Sequence, residues 1–158
     1  MNEIEILKKI EKKVLWLSCW MIHNANHIRE NHDGLKVGGH QASSASIVSI
    51  MTALYFSILR PEDRVAVKPH ASPVFHAIQY LSGLQTKEKI ENFRGFGGAQ
   101  SYPSRTKDID DVDISTGSVG LGVAMTSFIS LIQDYIARKK FNKNKPLGRM
   151  IALVGDAE

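Results

Sequence analysis

Apolar residues recur at intervals of three and four in three long stretches of the chain. The first stretch has lysines on its other faces and contains Leu7, Ile10, Val14, Leu17 and Met21. The second follows a loop over residues 33–39 and contains Ile47, Ile50, Met51, Leu54 and Ile58. The third extends to about Arg138 and contains Leu121, Met125, Phe128, Ile132 and Tyr135. Residues at this spacing share one face of a helix, so each stretch predicts an amphipathic helix.

Two short apolar runs predict buried strands. Residues 64–67 follow the turn over residues 60–63, and residues 150–154 form a continuous apolar run. Between them the spacing predicts a helix over residues 72–81, with Gly83 as its C-terminal stop, and a short helix over residues 87–93. Strands separated by helices predict an α/β fold, with a mostly parallel sheet flanked by helices.

Residues 95–114 form the least regular part of the chain. Glycines, a proline and four aspartates replace any periodicity, which is typical of a functional loop. The aspartates do not fit a calcium-binding loop. Such a loop requires a central Gly and a terminal Glu, and Asp113 and Val119 occupy those two positions. We therefore predict a solvated acidic loop containing Asp108, Asp110, Asp111 and Asp113.

Composition indicates one folded domain. The chain has 158 residues, 43% hydrophobic and 23% charged, with a formal net charge of +4, which is unlike a disordered chain. Its one cysteine, Cys19, cannot form an internal disulfide, and no signal peptide or membrane-spanning run is evident. A cytoplasmic protein is expected. The basic runs lack interleaved aromatics and are interpreted as solvated faces, so we expect no nucleic-acid or membrane partner.

Candidate chemistry lies where the last predicted strand ends and where the third long helix begins. Asp156 follows the strand, at a position where ligands gather in α/β sheets, and suits Mg²⁺ beside a phosphate-bearing cofactor. A capping role for Asp156 explains its position about as well. The glycine-rich turn over residues 115–122 favours an anion at the helix start, although close helix packing is the slightly favoured explanation.

Histidines provide a second kind of candidate. His40 and His70 each lie in a loop at the mouth of a predicted helix, where an imidazole can donate to an oxyanion or move a proton. For either one alone, a solvated or capped loop histidine is the simpler interpretation. His23 and His27 are interpreted as a surface pair rather than a metal site, and His76 as structural.

Taken in order, these motifs resemble the N-terminal, diphosphate-binding half of the thiamine diphosphate enzymes of the transketolase family. The resemblance covers most of the chain and is carried by residues 25–29, 39–40, 68–70, 115–122 and 155–157. Residues 38–44, 91–94 and 101–103 are more similar to the homodimeric pyruvate dehydrogenase E1 component than to transketolase. The resemblance implies an N-terminal helical segment (1–32) and a thiamine diphosphate-binding fold (33–158) that is truncated before the domain is complete.

The resemblance also implies roles for individual residues. His40 and His70 would line the channel above the thiazolium, orienting substrate and relaying protons. Asp156 would be the Mg²⁺ ligand that bridges the metal to the diphosphate. The other implied cofactor contacts are Ser43, His70, Tyr102, Gly117, Val119, Gly155 and Ala157. The family usually has Gly-Asp-Gly at the metal ligand, so Ala157 is a departure.

The implied parent enzyme uses thiamine diphosphate and Mg²⁺ to cleave or transfer the carbon unit next to a carbonyl. Its reaction would be 2-oxo acid decarboxylation or ketol transfer, on a small 2-oxo acid or a ketose. The family's second metal ligand and its activating glutamate have no counterpart here, so we expect the N-terminal part of a longer protein, inactive alone. A homodimer, or a second chain with the pyrimidine-binding domain, would complete the site. The alternative is a non-catalytic fragment or split subunit.

Overall fold

The computed structural model describes residues 2–30, 34–117, 120–143 and 145–155. The predicted N-terminal helix is confirmed as α1 (Glu3–His23). Asn2 caps it by accepting a hydrogen bond from the Glu5 backbone N–H, and the Glu5 side chain accepts one from the Asn2 N–H in return. This reciprocal pair satisfies two amide groups that the helix start otherwise leaves without partners. The helix continues into a π-helical turn, Asn24–Ile28.

The second predicted helix is present but divided. Its apolar repeat falls on α3 (Val48–Ala53) and on a second π-helical turn, Leu54–Ile58. A separate short helix, α2 (Gln41–Ala45), precedes it. The sequence did not predict α2, because its small and polar residues carry no apolar period.

The sheet in the described residues has two parallel strands, β1 (Arg64–Ala66) and β2 (Met150–Ala152). Val65 is paired with Ile151 in the register. An α/β fold with a parallel pair is thereby confirmed, although both strands are shorter than predicted. The prediction that β2 is buried is wrong. Its residues are only half-buried, because the other described elements that pack on it are β1 and α6 (Leu121–Arg138).

The predicted helix over residues 72–81 is confirmed as α4 (Ser72–Leu81), entered through a 3₁₀ turn, Pro69–Ala71. It ends as the sequence predicts. Gly83 adopts a left-handed φ of 77°, its N–H donates to the Tyr80 carbonyl, and the next N–H donates to the Gln79 carbonyl. The last short helix, α5 (Lys87–Glu91), stops two residues before its predicted end.

The hydrophobic core lies between α1, α3 and α4. Its members are buried apolar side chains from these helices, from β1 and from the loop after α5, including Val14, Met21, Val48, Met51, Val65, Val74, Phe75, Ile78 and Phe93. Helix α4 is the centre of this arrangement, because eight of its residues are buried. The residues just before α4, which include His70, are therefore attached to the most buried element of the chain.

Helix α6 has the predicted bounds, but its predicted apolar stripe does not pack against the core and is exposed instead. Phe128 is 62% exposed and Ile132 57% exposed, and among the residues of this helix only Thr126 is buried. The side that lies near the sheet carries Gln133, which donates to the Gly148 carbonyl at 3.1 Å. None of the helices in the described ranges is long and apolar enough to cross a membrane.

An ion pair fixes the start of β2 beside the start of β1. The buried Asp63 carboxylate accepts hydrogen bonds from the Arg149 backbone N–H at 2.7 Å, from Arg149 Nε at 3.1 Å and from the Arg60 N–H at 2.9 Å. The hydrogen bonds from the Arg149 side chain, with those from the two backbone amides, hold the pKa of the Asp63 carboxyl well below its usual range.

Asp63→Asn is therefore expected to destabilise the chain at pH 7. Because the folded-state pKa is lowered, the stabilisation is complete above the unfolded pKa, near 4, and is lost as the pH falls below it. Urea unfolding at pH 7 and pH 3 should show a larger acid loss in the wild type than in the variant. Glu62→Gln, a neutralised neighbour, is the control. Equal acid losses in the wild type and in Asp63→Asn would contradict this account.

Candidate functional site

Two loops bring a pair of histidines together beside the core. His40 is the residue immediately before α2, and His70 lies in the 3₁₀ turn that follows β1. Their ring centroids are 5.5 Å apart, with the ring planes inclined at 66°. Both residues are exposed. The two candidate histidines, thirty positions apart in the sequence, therefore share one surface near the carboxyl end of β1.

These histidines line a cavity of about 270 Å³, which we call the histidine cleft. Among the described residues, its lining consists of Gly38, Gly39, His40, Pro69, His70, Ser72, Pro73, Arg94 and Tyr102. It contains one permanent cation, two imidazoles, a hydroxyl and a phenol, and none of these residues is acidic. Such a lining suits an anionic or carbonyl-bearing ligand.

Arg94 is the charged lining residue of the cleft, and the sequence assigned it no role. It lies in the turn that follows α5. Arg29 Nη1 donates to the Phe93 carbonyl at 2.9 Å, and the Asn24 side chain donates to the carbonyl of Glu91, the last residue of α5, at 2.8 Å. The end of the N-terminal helix therefore holds this loop in place. The motif over residues 91–94 was the only sequence signal for it.

Tyr102 enters the cleft from the irregular loop, and that loop is fixed by its aspartates. Asp108 accepts from the backbone N–H groups of Gln100 at 3.1 Å and Ser104 at 2.8 Å. Asp113 accepts from the Val65 N–H of β1 at 2.9 Å. The prediction of a solvated acidic loop is therefore wrong, although Asp111 is exposed. The spacing could not reveal that these carboxylates serve as acceptors for the loop's own backbone and for β1.

The most buried polar cluster joins this loop to α4. His76 Nδ1 lies 2.5 Å from Asp110 Oδ2, and both side chains are fully buried. Gln85 Nε2 donates to the other carboxylate oxygen, and His76 Nε2 lies 2.9 Å from the Gln100 carbonyl. Because a carbonyl only accepts, Nε2 carries a hydrogen and donates it. The structural interpretation of His76 is confirmed.

The Asp113 carboxyl lies at the end of the loop and is partly buried. Burial raises its pKa, even though the Val65 N–H and the nearby Arg64 favour the charged form. The Arg64 Nε lies 3.4 Å from this carboxylate. The loop thus meets β1 through a partly buried carboxylate just before the glycine-rich turn.

The carboxyl ends of the two strands converge with the start of α6. Thr116 Oγ1 donates to the Val67 carbonyl at 2.6 Å, and Gly122 lies so close to β1 that an added methyl group would be 3.3 Å from the Ala66 Cβ. Gly120 precedes the helix with a left-handed φ of 77°, and no described side chain caps its first turn. A helix start of this kind presents free backbone N–H groups that can bind an anion.

The remaining predicted site residues are divided between described and undescribed positions. Gly117 packs near the Tyr102 ring and lines a second cavity with it. Ser43, in α2, and Gly155, after β2, are described but are not among the residues that line the histidine cleft. Val119, Asp156 and Ala157 lie outside the described residues. Within the described ranges no group of three or more His, Cys, Asp or Glu residues could hold a metal.

Together these observations define an α/β chain with a histidine-lined cleft beside the carboxyl end of a parallel strand. No family model matches the chain. Among curated proteins, it is 31% identical over 143 residues to the pyruvate dehydrogenase E1 component of Pseudomonas aeruginosa, covering 85% of this chain and 16% of that protein. The E1 component of Buchnera aphidicola (subsp. Schizaphis graminum) is 26% identical over 166 residues, covering 99% of this chain and 18% of that protein.

The Escherichia coli (strain K12) pyruvate dehydrogenase E1 component is also similar, with 25% identity over 166 residues, 99% of this chain and 18% of the relative. The expected similarity to pyruvate dehydrogenase E1 components is thereby confirmed across most of the chain. The chain spans less than a fifth of the length of these relatives.

Proposed function

We propose that this chain is the cofactor-facing N-terminal part of a thiamine diphosphate- and Mg²⁺-dependent enzyme of the pyruvate dehydrogenase E1 type, within the transketolase family. Residues 33–158 would form part of the thiamine diphosphate-binding domain, and residues 1–32 its N-terminal helical segment. The observation that carries the proposal is the meeting of His40, His70 and Tyr102 in one cleft. Its support is the similarity to E1 components over nearly the whole chain.

The proposed roles follow from the chemistry of each side chain. When bound, thiamine diphosphate supplies a carbon nucleophile and an electron sink for cleavage of the bond next to a carbonyl. His40 and His70 would hold or move a proton at a ring nitrogen and orient the substrate carbonyl. Tyr102, in the wall of the cleft beside them, would approach the cofactor. Ser43, in the helix that His40 precedes, would approach the cofactor.

The diphosphate would lie at the strand ends, beside the start of α6. Support comes from the backbone N–H groups of the first turn of that helix, which no described side chain caps. Gly117 would contact the cofactor there, and Val119 would pack on its pyrimidine. Asp156 would ligate Mg²⁺, and Gly155 and Ala157 would bring backbone close to the diphosphate.

The substrate would be a small 2-oxo acid or a ketose, and the complete site would need a homodimer or a second chain with the pyrimidine-binding domain. The exposed apolar stripe of α6 supports the view that further polypeptide covers this side of the sheet. The same stripe favours the second candidate, a split or non-catalytic subunit that binds the cofactor only with another chain.

Calorimetric titration with thiamine diphosphate tests the cofactor assignment. We expect binding that requires Mg²⁺ and that weakens at least about tenfold in Asp156→Asn. Asp134→Asn, which makes the same chemical change on an exposed face of α6, is the matched control and should bind like the wild type.

Two results would count against the assignment. One is equal, Mg²⁺-independent binding by the wild type and by Asp156→Asn. The other is failure to bind both in these 158 residues and in a polypeptide extended through the downstream reading frame. Binding by the extended polypeptide alone would show that the missing half of the domain is needed for binding, and the assignment would stand.

A further inference from the structure

We propose that Arg94 is an oxyanion-binding residue of the histidine cleft, and that its ligand is the carboxylate or phosphate group of the substrate. This inference deepens the proposed function, on which the identity of the ligand rests. It rests on three observations about Arg94: its backbone conformation, the partners of its guanidinium, and the charges that surround it.

The backbone of Arg94 is held in a conformation that side-chain-bearing residues rarely adopt. Its φ is 61°, in the left-handed region. Hydrogen bonds on both sides maintain it, because the Arg94 N–H donates to the Ala99 carbonyl at 2.9 Å and Arg29 Nη1 donates to the Phe93 carbonyl at 2.9 Å. Strained conformations of this kind persist where the surrounding structure enforces them, and they are concentrated at binding sites.

Among the described residues, few hydrogen-bond acceptors face the Arg94 guanidinium. Nη1 donates to the Val37 carbonyl at 3.0 Å, and an added methyl group at Gly38 would lie 2.9 Å from Nη1. Nε is buried and has no hydrogen-bond partner among the described residues. An arginine has five N–H donors and cannot lose its charge in a protein. Most of the donor capacity of Arg94 is therefore unused by the described residues.

Within the described ranges, no carboxylate is paired with Arg94. None of the described ion pairs includes Arg94, and no acidic residue is among the described residues lining the cleft. The neighbouring lining groups are the imidazoles of His40 and His70 and the phenol of Tyr102. A partly buried cation without a counter-ion creates a positive potential in a confined space, where a small oxyanion supplies both the missing charge and the missing acceptors.

The size of the cleft sets the scale of the ligand. At about 270 Å³, it lies just below the range of about 300–1,000 Å³ typical of pockets for drug-sized ligands. A guanidinium matches the planar geometry of a carboxylate and also binds phosphate. With His40 and His70 in the same lining, an oxyanion held by Arg94 would place an adjacent carbonyl beside the imidazoles.

A merely structural role makes a different prediction. Arg94 also supports the Val37–Gly38 backbone, so its replacement could disturb His40 without any ligand being involved. Arg94→Gln is the informative variant, because the glutamine amide can still donate toward the Val37 carbonyl but carries no charge. Arg94→Lys retains the charge and loses the planar donor geometry. Arg138→Gln removes an exposed arginine at the end of α6 and is the control.

The test is an NMR titration of the 158-residue chain, following the imidazole resonances of His40 and His70. The probes are pyruvate, inorganic phosphate and fructose 6-phosphate, each with and without thiamine diphosphate and Mg²⁺. We expect at least one probe to shift both imidazoles. Its affinity should fall at least about tenfold in Arg94→Gln and less in Arg94→Lys, and should be unchanged in Arg138→Gln. Preference for pyruvate assigns a carboxylate ligand, and preference for the phosphates assigns a phosphate ligand.

The inference is overturned if no probe shifts the imidazoles of the wild type, or if Arg94→Gln binds every probe as the wild type does. Its failure is separable from failure of the proposed function. Arg94-dependent oxyanion binding, with no thiamine diphosphate binding either in these 158 residues or in the extended polypeptide, would retain the anion site and reject the cofactor. If thiamine diphosphate binds but the oxyanion affinity is the same in Arg94→Gln as in the wild type, the cofactor assignment stands and the anion site is rejected.

Discussion

Replacing His76 with phenylalanine is expected to lower the free energy of unfolding by about 3–5 kcal/mol, the range for breaking a buried, hydrogen-bonded pair. The ring volume is nearly kept, and the neighbouring Phe75 and Phe93 rings would accept it. The cost arises because the Asp110 carboxyl would be left buried with only the Gln85 amide as a described side-chain partner. Urea unfolding at pH 7 measures the change.

Asp110→Asn is the matched control for this prediction. The asparagine oxygen can accept from Gln85, its amide can donate to His76 Nδ1, and Nε2 keeps its hydrogen bond to the Gln100 carbonyl. Every polar atom of the cluster would remain paired, so we expect a loss of less than about 1.5 kcal/mol. If the two variants lose the same stability, the hydrogen bonds of the pair are not what stabilises this part of the core.

Gly98→Ala is expected to cost about 3 kcal/mol, at the upper end of the range for forcing an extra methyl group into a packed site. The added Cβ would overlap the Asn92 carbonyl oxygen, which is rigid backbone. The loop would have to open, which disturbs the hydrogen bond from the Arg94 N–H to the Ala99 carbonyl. We therefore also expect weaker Arg94-dependent oxyanion binding, measured by the same NMR titration.

The adjacent glycine separates crowding from backbone strain. Gly97 has a left-handed φ of 74° and no atom within 4 Å of an added Cβ, so Gly97→Ala introduces strain without overlap. We expect a cost of about 1–2 kcal/mol and little change in oxyanion binding. The account of the loop fails if Gly97→Ala proves as damaging as Gly98→Ala in thermal or urea unfolding.

Much of the secondary structure follows directly from the sequence, because local spacing and end signals determine it. Helix α4 shows this well: its apolar spacing and the glycine at position 83 predict both its bounds and its left-handed end. The π-helical turns after α1 and α3 were not predicted. An apolar repeat of three and four residues looks the same whether the final turn is α-helical or contains one residue more.

The site was predictable only in part, because its members are assembled by tertiary contacts. His40 and His70 were candidates from the sequence, but their 5.5 Å separation depends on the packing of α2 beside the turn that precedes α4. Asp110 appeared as one of four aspartates in a polar loop, and its pairing with His76, 34 positions earlier, left no local pattern. Arg94 was part of a motif whose purpose became visible only in the cleft lining.

The contrast between α4 and α6 has a consequence for how the chain opens. Eight of the ten residues of α4 are buried, whereas α6 buries one of its eighteen. Detaching α6 exposes little additional apolar surface, so its opening requires only a small fraction of the free energy of global unfolding. The residues of the histidine cleft that α4 anchors are therefore expected to be long-lived. The start of α6 lies at the strand ends, outside that lining, and we expect it to open and reclose many times within the lifetime of one folded core.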